Sequence, residues 1–293
     1  MEIAPSRASS VILVRDTPNG VETFLIKRHE ASSFMGGFYA FPGGNVEASD
    51  SSDELLRCVE GLSPDAAQDR LGKGVAPEIA LAHWVAGIRE VFEEVGVLFA
   101  RDEGETLISF ADKNKRKLFE EYRELLNKGE MTFARLLIQE HLTLTASSLI
   151  HYAHWITPLA RSIRYDTHFF LAQLPTGQTP SVDHRETIEG IWQRPEEAVK
   201  ENTAGACPLT PPALCILQGL ASFSSVREIR KYCTGRRLSD PILPILIHVQ
   251  DTETILLPGD KLYTEYGGEA LEHCNNLPQP LRLVLKDGRW LPA

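Results

Sequence analysis

No stretch of this chain approaches the roughly 18 consecutive apolar residues of a membrane-spanning helix, and its opening, MEIAPSRASSVILVRD, lacks the apolar centre of a signal peptide. Cysteine is sparse. Cys58, Cys207, Cys215, Cys233 and Cys274 are scattered, odd in number and form no CxxC pair, so neither a zinc knuckle nor a disulfide scaffold is indicated. A reducing, cytoplasmic setting is the expectation. Positive charge is in deficit: the formal net charge is -10. With no basic stripe to release counterions, a nucleic acid is not expected as partner, and neither is a membrane. Internal repeats and low-complexity segments are missing too. What is present is 43% hydrophobic and 24% charged among 293 residues, enough for a large core or a domain with extensions. An acidic protein can still bind a phosphorylated small molecule through a metal ion, whose charge reverses the local sign.

Two strands, SSVILVRD (9–16) and VETFLIKR (21–28), are expected to form a hairpin around Asn19-Gly20. FYAF (38–41) is a third extended piece, stopped by Pro42 and by Gly43-Gly44. Residues 48 to 80 are polar, with one short helix near SDELLRCVE. From 78 to 95, Leu81, Val85, Ile88, Phe92 and Val95 recur at steps of four and three, which is the apolar stripe of a helix that Gly96 can end. VLF (97–99) can then begin a strand. Helices are expected at 112–129 and 132–142, and strands at 149–158, 164–175 and 186–195. A further helix starts at Pro195, and another spans 210–232 with a break near Ser222. The tail gives β segments of obscure role. Strands alternating with helices imply a layered α/β architecture with a mixed sheet.

The segment AGIREVFEEVGVLFA (86–100) carries the chemistry. On a helix, Glu90, Glu93 and Glu94 project from the side opposite the apolar stripe. A solvated acidic face is the ordinary meaning of such a cluster. Two features weigh against it here. The carboxylates repel one another near a helix C-terminus, where the dipole disfavours negative charge. Upstream, FPGGNVEASD supplies a glycine turn able to bring backbone close to a metal or phosphate. A hard divalent cation such as Mg²⁺ answers both penalties.

Gly43-Gly44 followed by REVFEEVGV (89–97) resembles the two ends of the Nudix box. The second half agrees at Arg89, Glu90, Val91, Glu93, Glu94, Gly96 and Val97. In the first half Gly44 fits, but Asp50 stands where the family has glutamate. Between Asp50 and Arg89 lie 38 residues instead of seven, so a long insertion splits the box. FPGG, HWITP, RYDTHFF and DHRETIEGIW are similar to the coenzyme A and acyl-CoA diphosphatase branch (the peroxisomal type), over residues 10 to 220. The resemblance implies a Nudix α/β/α sandwich over 8–235, with insertions at 51–80 and 111–142 and a β-rich extension at 236–293. It implies Mg²⁺ or Mn²⁺ held by Glu90, Glu93, Glu94 and the Gly43 carbonyl, with Arg89 orienting the carboxylates. One more acidic ligand is expected, Glu186 first, Glu189 second and Asp183 third. Asp50 is a candidate for the role of the missing glutamate.

The implied reaction is hydrolysis of coenzyme A or an acyl-CoA to 3',5'-ADP and (acyl-)4'-phosphopantetheine. Alternatives are ADP-ribose, a dinucleotide or a nucleoside triphosphate as substrate, or a non-catalytic nucleotide-binding sensor or scaffold. The 51–80 insert is expected beside the active-site mouth, with substrate selection, a homodimer contact and simple decoration all open. His141, His151, His154 and His168 lack zinc-site spacing, and residues three apart on a strand face opposite ways. Trp155, Phe169, Phe170 and Trp192 suit a sheet core better than an adenine platform. Arg164 and Tyr165 are weaker candidates for substrate contact. KNKRK (113–117) suits a solvated face, or a patch that steers a polyanion. Cys58 has no histidine beside it in the sequence, and GKG (72–74) lacks the rest of a phosphate-binding loop.

Overall fold

The computed structural model describes residues 3–72, 74–104, 106–183, 185, 187–234, 240–269 and 281–293. Its centre is strand β1 (Ser6–Thr17), which pairs antiparallel with β2 (Gly20–Arg28) through the Asn19-Gly20 hairpin. Short strands β3 (Tyr39–Ala40) and β4 (Gly43–Asn45) add to β2 and β1 respectively. A 3₁₀ turn at Ala48–Ser51, helix α1 (Asp53–Leu56), strand β5 (Val59–Glu60) and helix α2 (Pro64–Leu71) follow, then the long helix α3 (Pro77–Val95). Strand β6 (Ala100–Arg101), helices α4 (Lys113–Asn127) and α5 (Phe133–Gln139) and strand β7 (Thr143–Thr145) lead to β8 (Leu149–Ile156), β9 (Tyr165–Gln173) and β10 (Thr187–Gln193). Helices α6 (Pro195–Ala204), α7 (Pro211–Leu220) and α8 (Val226–Thr234) precede β11 (Ile245–Val249), β12 (Thr252–Leu256), β13 (Arg282–Lys286) and β14 (Arg289–Pro292).

The main sheet runs β10-β2-β1-β9-β8 and is mixed, because β1 and β9 are parallel while their other neighbours are antiparallel. β1 is buried without a break from Ala8 to Val14 because both its faces are covered. Val11 and Leu13 join the core under α3, whereas Ile12 and Val14 join the core under α7 and α8. Helices on both faces make the α/β/α sandwich expected of the sequence. The break in the 210–232 helix falls between α7 and α8, around Ser222.

Two expectations need correction. VLF is not a strand: Leu98 receives its backbone partners from the side chain of Gln178, at 2.8 Å to its N–H and 2.9 Å to its carbonyl. A buried amide side chain thus satisfies groups that a neighbouring strand would otherwise satisfy. The 51–80 insert is more structured than its polarity suggests, and it lies elsewhere. β5 pairs parallel with β7, and Leu55, Leu62 and Ala67 are buried in the α3-side core with Trp84, Leu136 and Leu137. None of its described residues lines the cleft described below.

The C-terminal strands form a separate antiparallel sheet, β11-β12-β13-β14. Its Ile255, Leu283 and Trp290 join the second core, against the sheet face opposite α3. Among the described residues no helix is long and apolar enough to cross a membrane.

Candidate active site

Helix α3 starts on Pro77 and ends at Gly96, whose left-handed backbone (φ 69°) suits the helix stop. Its buried length fixes the register of the glutamates against the β1–β4 corner. Arg89 organises them. Its guanidinium meets Asp50 at 2.9 Å through both Nε and Nη2, donates from Nη1 to Glu90 at 2.8 Å and Glu93 at 3.1 Å, and donates from Nη2 to the Asn45 carbonyl at 2.9 Å. Asp50 is fully buried and also accepts the Glu47 N–H at 2.8 Å. The insertion therefore leaves the box intact in space, and Asp50 anchors Arg89.

The glycine turn closes on the same helix. Glu94 accepts the Gly43 N–H at 2.7 Å. A Cβ on Gly44 would stand 2.6 Å from the Glu90 carboxylate, and one on Gly43 would stand 2.2 Å from the Ser9 carbonyl oxygen. Only glycine allows this approach.

The carboxylates carry more charge than their partners neutralise. Asp50, Glu90 and Glu93 share one guanidinium. Burial, opposed by Arg89 and reinforced by Glu93, pushes Glu90 up to about 7. Glu93 is raised as well, again chiefly by burial. An oxygen donor set with a deficit of positive charge is what a hard divalent cation requires, so the residues present fit one.

Arg123 was not legible in the sequence. It reaches from α4 to the last turn of α3, donating from Nε to the Glu93 carbonyl at 2.7 Å and from Nη2 to the Glu94 carbonyl. A buried guanidinium thus offsets the helix dipole where the glutamates oppose it.

The remaining candidates divide. Glu186 lies outside the described residues. Glu189 is not in the glutamate cluster: its carboxylate accepts the Tyr39 hydroxyl at 2.7 Å, and it does not line the cleft. Asp183 caps its own loop, accepting from the Thr187 hydroxyl at 2.8 Å. Arg164 is structural, donating to the carbonyls of Thr157 and Ile3. Tyr165, Trp155 and Phe169 line the cleft, the latter two from the core, whereas Phe170 and Trp192 pack in the other core.

The histidines overturn a parity argument. A bulge between His151 and Ala153 turns Tyr152 and Ala153 to the same face, so His151 and His154 both meet His168. His151 Nε2 lies 2.9 Å from His168 Nδ1, His154 stacks on the His168 ring at 3.9 Å, and Asp166 hydrogen-bonds His154. His83 of α3 joins them, edge-on to His168 at 4.6 Å. One ligand atom from each of His154, Asp166 and His168 lies within 4.8 Å of the others. The stacked planes, only 22° apart, direct the in-plane lone pairs of the two rings side by side and not toward one point.

Glu90, Glu93, Arg89 and the glycine turn open onto a cleft of about 450 Å³, in the ordinary range for a ligand site. A mixed sheet between helices, a buried arginine ordering Glu90 and Glu93, and a glycine turn held by Glu94 together define a Nudix hydrolase. Comparison with known proteins agrees. The model of the NUDT19 Nudix domain matches residues 6–220, and the chain belongs to that family. Among its relatives are the acyl-coenzyme A diphosphatase NUDT19 of Gallus gallus, 30% identical over 309 residues (91% of this chain, 79% of that protein), and that of Homo sapiens, 28% identical over 301 residues (92% and 79%). A putative nudix hydrolase 7 of Caenorhabditis elegans is 28% identical over 284 residues, covering 96% of this chain and 79% of its own length. The crystal structure of a NUDIX hydrolase from Alicyclobacillus acidocaldarius superposes with a TM-score of 0.62 at 22% identity, over 78% of this chain and 96% of that one, which bears on the fold alone.

Proposed function

We propose that this protein hydrolyses the diphosphate linkage of coenzyme A and its acyl esters, releasing 3',5'-ADP and (acyl-)4'-phosphopantetheine. The observation that carries the chemistry is the Arg89 cluster, which holds Glu90 and Glu93 beside a glycine turn that Glu94 grips. The names of the Gallus gallus and Homo sapiens relatives support the choice of substrate. Nudix hydrolases generally use divalent cations, and Mg²⁺ or Mn²⁺ is the expected ion here. Glu90, Glu93, Glu94 and the Gly43 carbonyl would hold it, with Glu186 the first choice for an outlying ligand. Bound there, it would neutralise the diphosphate oxygens and lower the pKa of an attacking water.

The protein's own part is positional. Arg89 and Asp50 fix the rotamers of Glu90 and Glu93, the glycine turn lets the substrate's diphosphate approach closely, and a carboxylate of the cluster accepts the proton of the attacking water. A product-resolved assay over coenzyme A, acetyl-CoA, ADP-ribose, NADH and nucleoside triphosphates, with and without Mg²⁺, tests the proposal. Metal-dependent turnover led by the coenzyme A compounds is expected. A preference for ADP-ribose above ~10-fold, about 1.4 kcal/mol of selectivity, contradicts it.

A further inference from the structure

The C-terminal sheet lies beyond the matched residues 6–220, yet it completes the cleft. Pro244, Ile255 of β12 and Trp290 of β14 form a wall with Trp155 of β8 and with Pro211 and Pro212 at the start of α7. This wall is docked firmly. Ile242 exchanges backbone hydrogen bonds of 2.8 Å with His154 and Ile156. Glu253 takes both arms of Arg161 at 3.0 and 2.5 Å, and Asn202 donates to the Trp290 carbonyl at 2.8 Å.

Sheet order orients the cleft. At the site β4 lies on one side of β1, and β9 then β8 lie on the other. The glycine turn and the wall are thus about three strand spacings apart, roughly 14 Å. Arg28, at the end of β2, is a cleft guanidinium with no carboxylate partner among the described residues; it donates to the Phe34 carbonyl at 3.2 Å and the Ser32 hydroxyl at 3.1 Å. Charge therefore divides the cleft. Its glycine side offers carboxylates for a metal and a spare cation for a phosphate, while its β8 side offers carbon and one guanidinium, Arg161, whose charge Glu253 neutralises.

We infer that the C-terminal extension forms a subsite for the acyl-pantetheine arm of the substrate, an inference that rests on the diphosphatase reading above. The arm is uncharged beyond its phosphate and suits an apolar wall, whereas the adenosine half carries a further phosphate and suits the Arg28 side. A second observation points the same way. The indole N–H of Trp155 is buried without an acceptor among the described residues, and such a donor favours any ligand that brings one. Amide and thioester carbonyls of the arm do so once the ring turns slightly toward the cleft.

The test uses the full-length protein and its two products as probes. Ile255→Ala is expected to weaken inhibition by 4'-phosphopantetheine and to lower kcat/KM for octanoyl-CoA relative to CoA, each about 10-fold. Inhibition by 3',5'-ADP should stay within ~2-fold, too small a change for a lost contact. Because Ile255 is buried, a second measurement avoids the variant. In metal-free wild type, acetyl-CoA should shift the indole N–H resonance of Trp155, assigned with Trp155→Phe, and 3',5'-ADP should not. If the wild type cleaves CoA while neither acyl selectivity nor phosphopantetheine inhibition responds, or if 3',5'-ADP is the probe that responds, the subsite is overturned and the activity stands. A wild type inert to every CoA compound removes the diphosphatase reading and the subsite with it.

Discussion

Arg89 holds Asp50 with two parallel contacts of 2.9 Å, although 38 residues separate them in the chain. Both partners are buried, so removing the acid strands a guanidinium in the interior. Asp50→Ala is expected to cost about 3–5 kcal/mol, measured by urea unfolding. It should also abolish turnover, because a guanidinium no longer clamped by Asp50 cannot hold Glu90 and Glu93 in fixed positions. A loss below ~1 kcal/mol, the size of an exposed ion pair, would mean that the pair is not the anchor described.

Glu94→Gln separates chemistry from folding. The amide keeps an oxygen for the Gly43 N–H, so the melting temperature should hold within a few degrees, the shift that about 1 kcal/mol produces. Turnover should fall at least ~100-fold, since a carboxylate proposed to hold the cation is lost. Retained activity would assign Glu94 to the turn alone.

The adjacent glycines should fail differently. In Gly43→Ala the new methyl meets backbone, 2.2 Å from the Ser9 carbonyl oxygen, and β1 cannot yield. Destabilisation of roughly 1–3 kcal/mol or more is expected. In Gly44→Ala the methyl meets the Glu90 carboxylate at 2.6 Å, the mobile end of a side chain. That variant should fold normally yet lose turnover on the order of 100-fold through a displaced Glu90 carboxylate. Calorimetric melts alongside kcat distinguish the two. Equal effects on both would contradict this geometry.

Much of this was legible beforehand, and the gaps have physical reasons. The α3 stripe, the β1–β2 hairpin and the break near Ser222 follow local periodicity and turn chemistry, which act over a few residues. Arg89, Glu90, Glu93 and Glu94 were legible because one helix presents them together. Arg123 was not, because it looks like any charge on an amphipathic helix until α4 docks against the end of α3. The bulge at Tyr152-Ala153 was invisible for a similar reason: strand parity holds only while pairing is regular, and the sequence around His151 has no glycine to announce a change. The tail gave strands without a role, since its contribution to the cleft comes from docking and not from pattern.

Arg123→Met tests that docking. The methionine keeps much of the side-chain volume but removes the donors that reach the Glu93 and Glu94 carbonyls. A loss of about 2–3 kcal/mol is expected from the charged hydrogen bonds and the dipole together. Amide exchange at Val95 and Gly96 should quicken more than at Leu81, because the damage begins at the C-terminal turn. Uniform acceleration along α3 would point to general destabilisation.

The histidine cluster predicts an acid-sensitive fold. Burial, opposed by Asp166 and aided by His154 and Arg7, lowers His83 to about 4. His168 is held well below its usual range by burial, with His154, His151 and His83 adding to the effect. In an unfolded chain both titrate near 6.5, or roughly so. Between that pH and about 4 the unfolded state binds more protons, so the neutral histidines contribute fully above pH ~6.5 and their contribution is lost as the pH falls. For His83 alone this is roughly 3 kcal/mol by pH ~4. Glu90, raised to about 7 by burial, works the other way in metal-free protein, since there the folded state holds the extra proton. The histidine share is therefore the difference between wild type and a His83→Asn variant, from urea midpoints at several values between pH ~7.5 and ~4.5 that bracket the free histidine value. Wild type should lose more stability than the variant across that window. Parallel profiles would mean that His83 is protonated inside the fold, with Asp166 as its counter-ion.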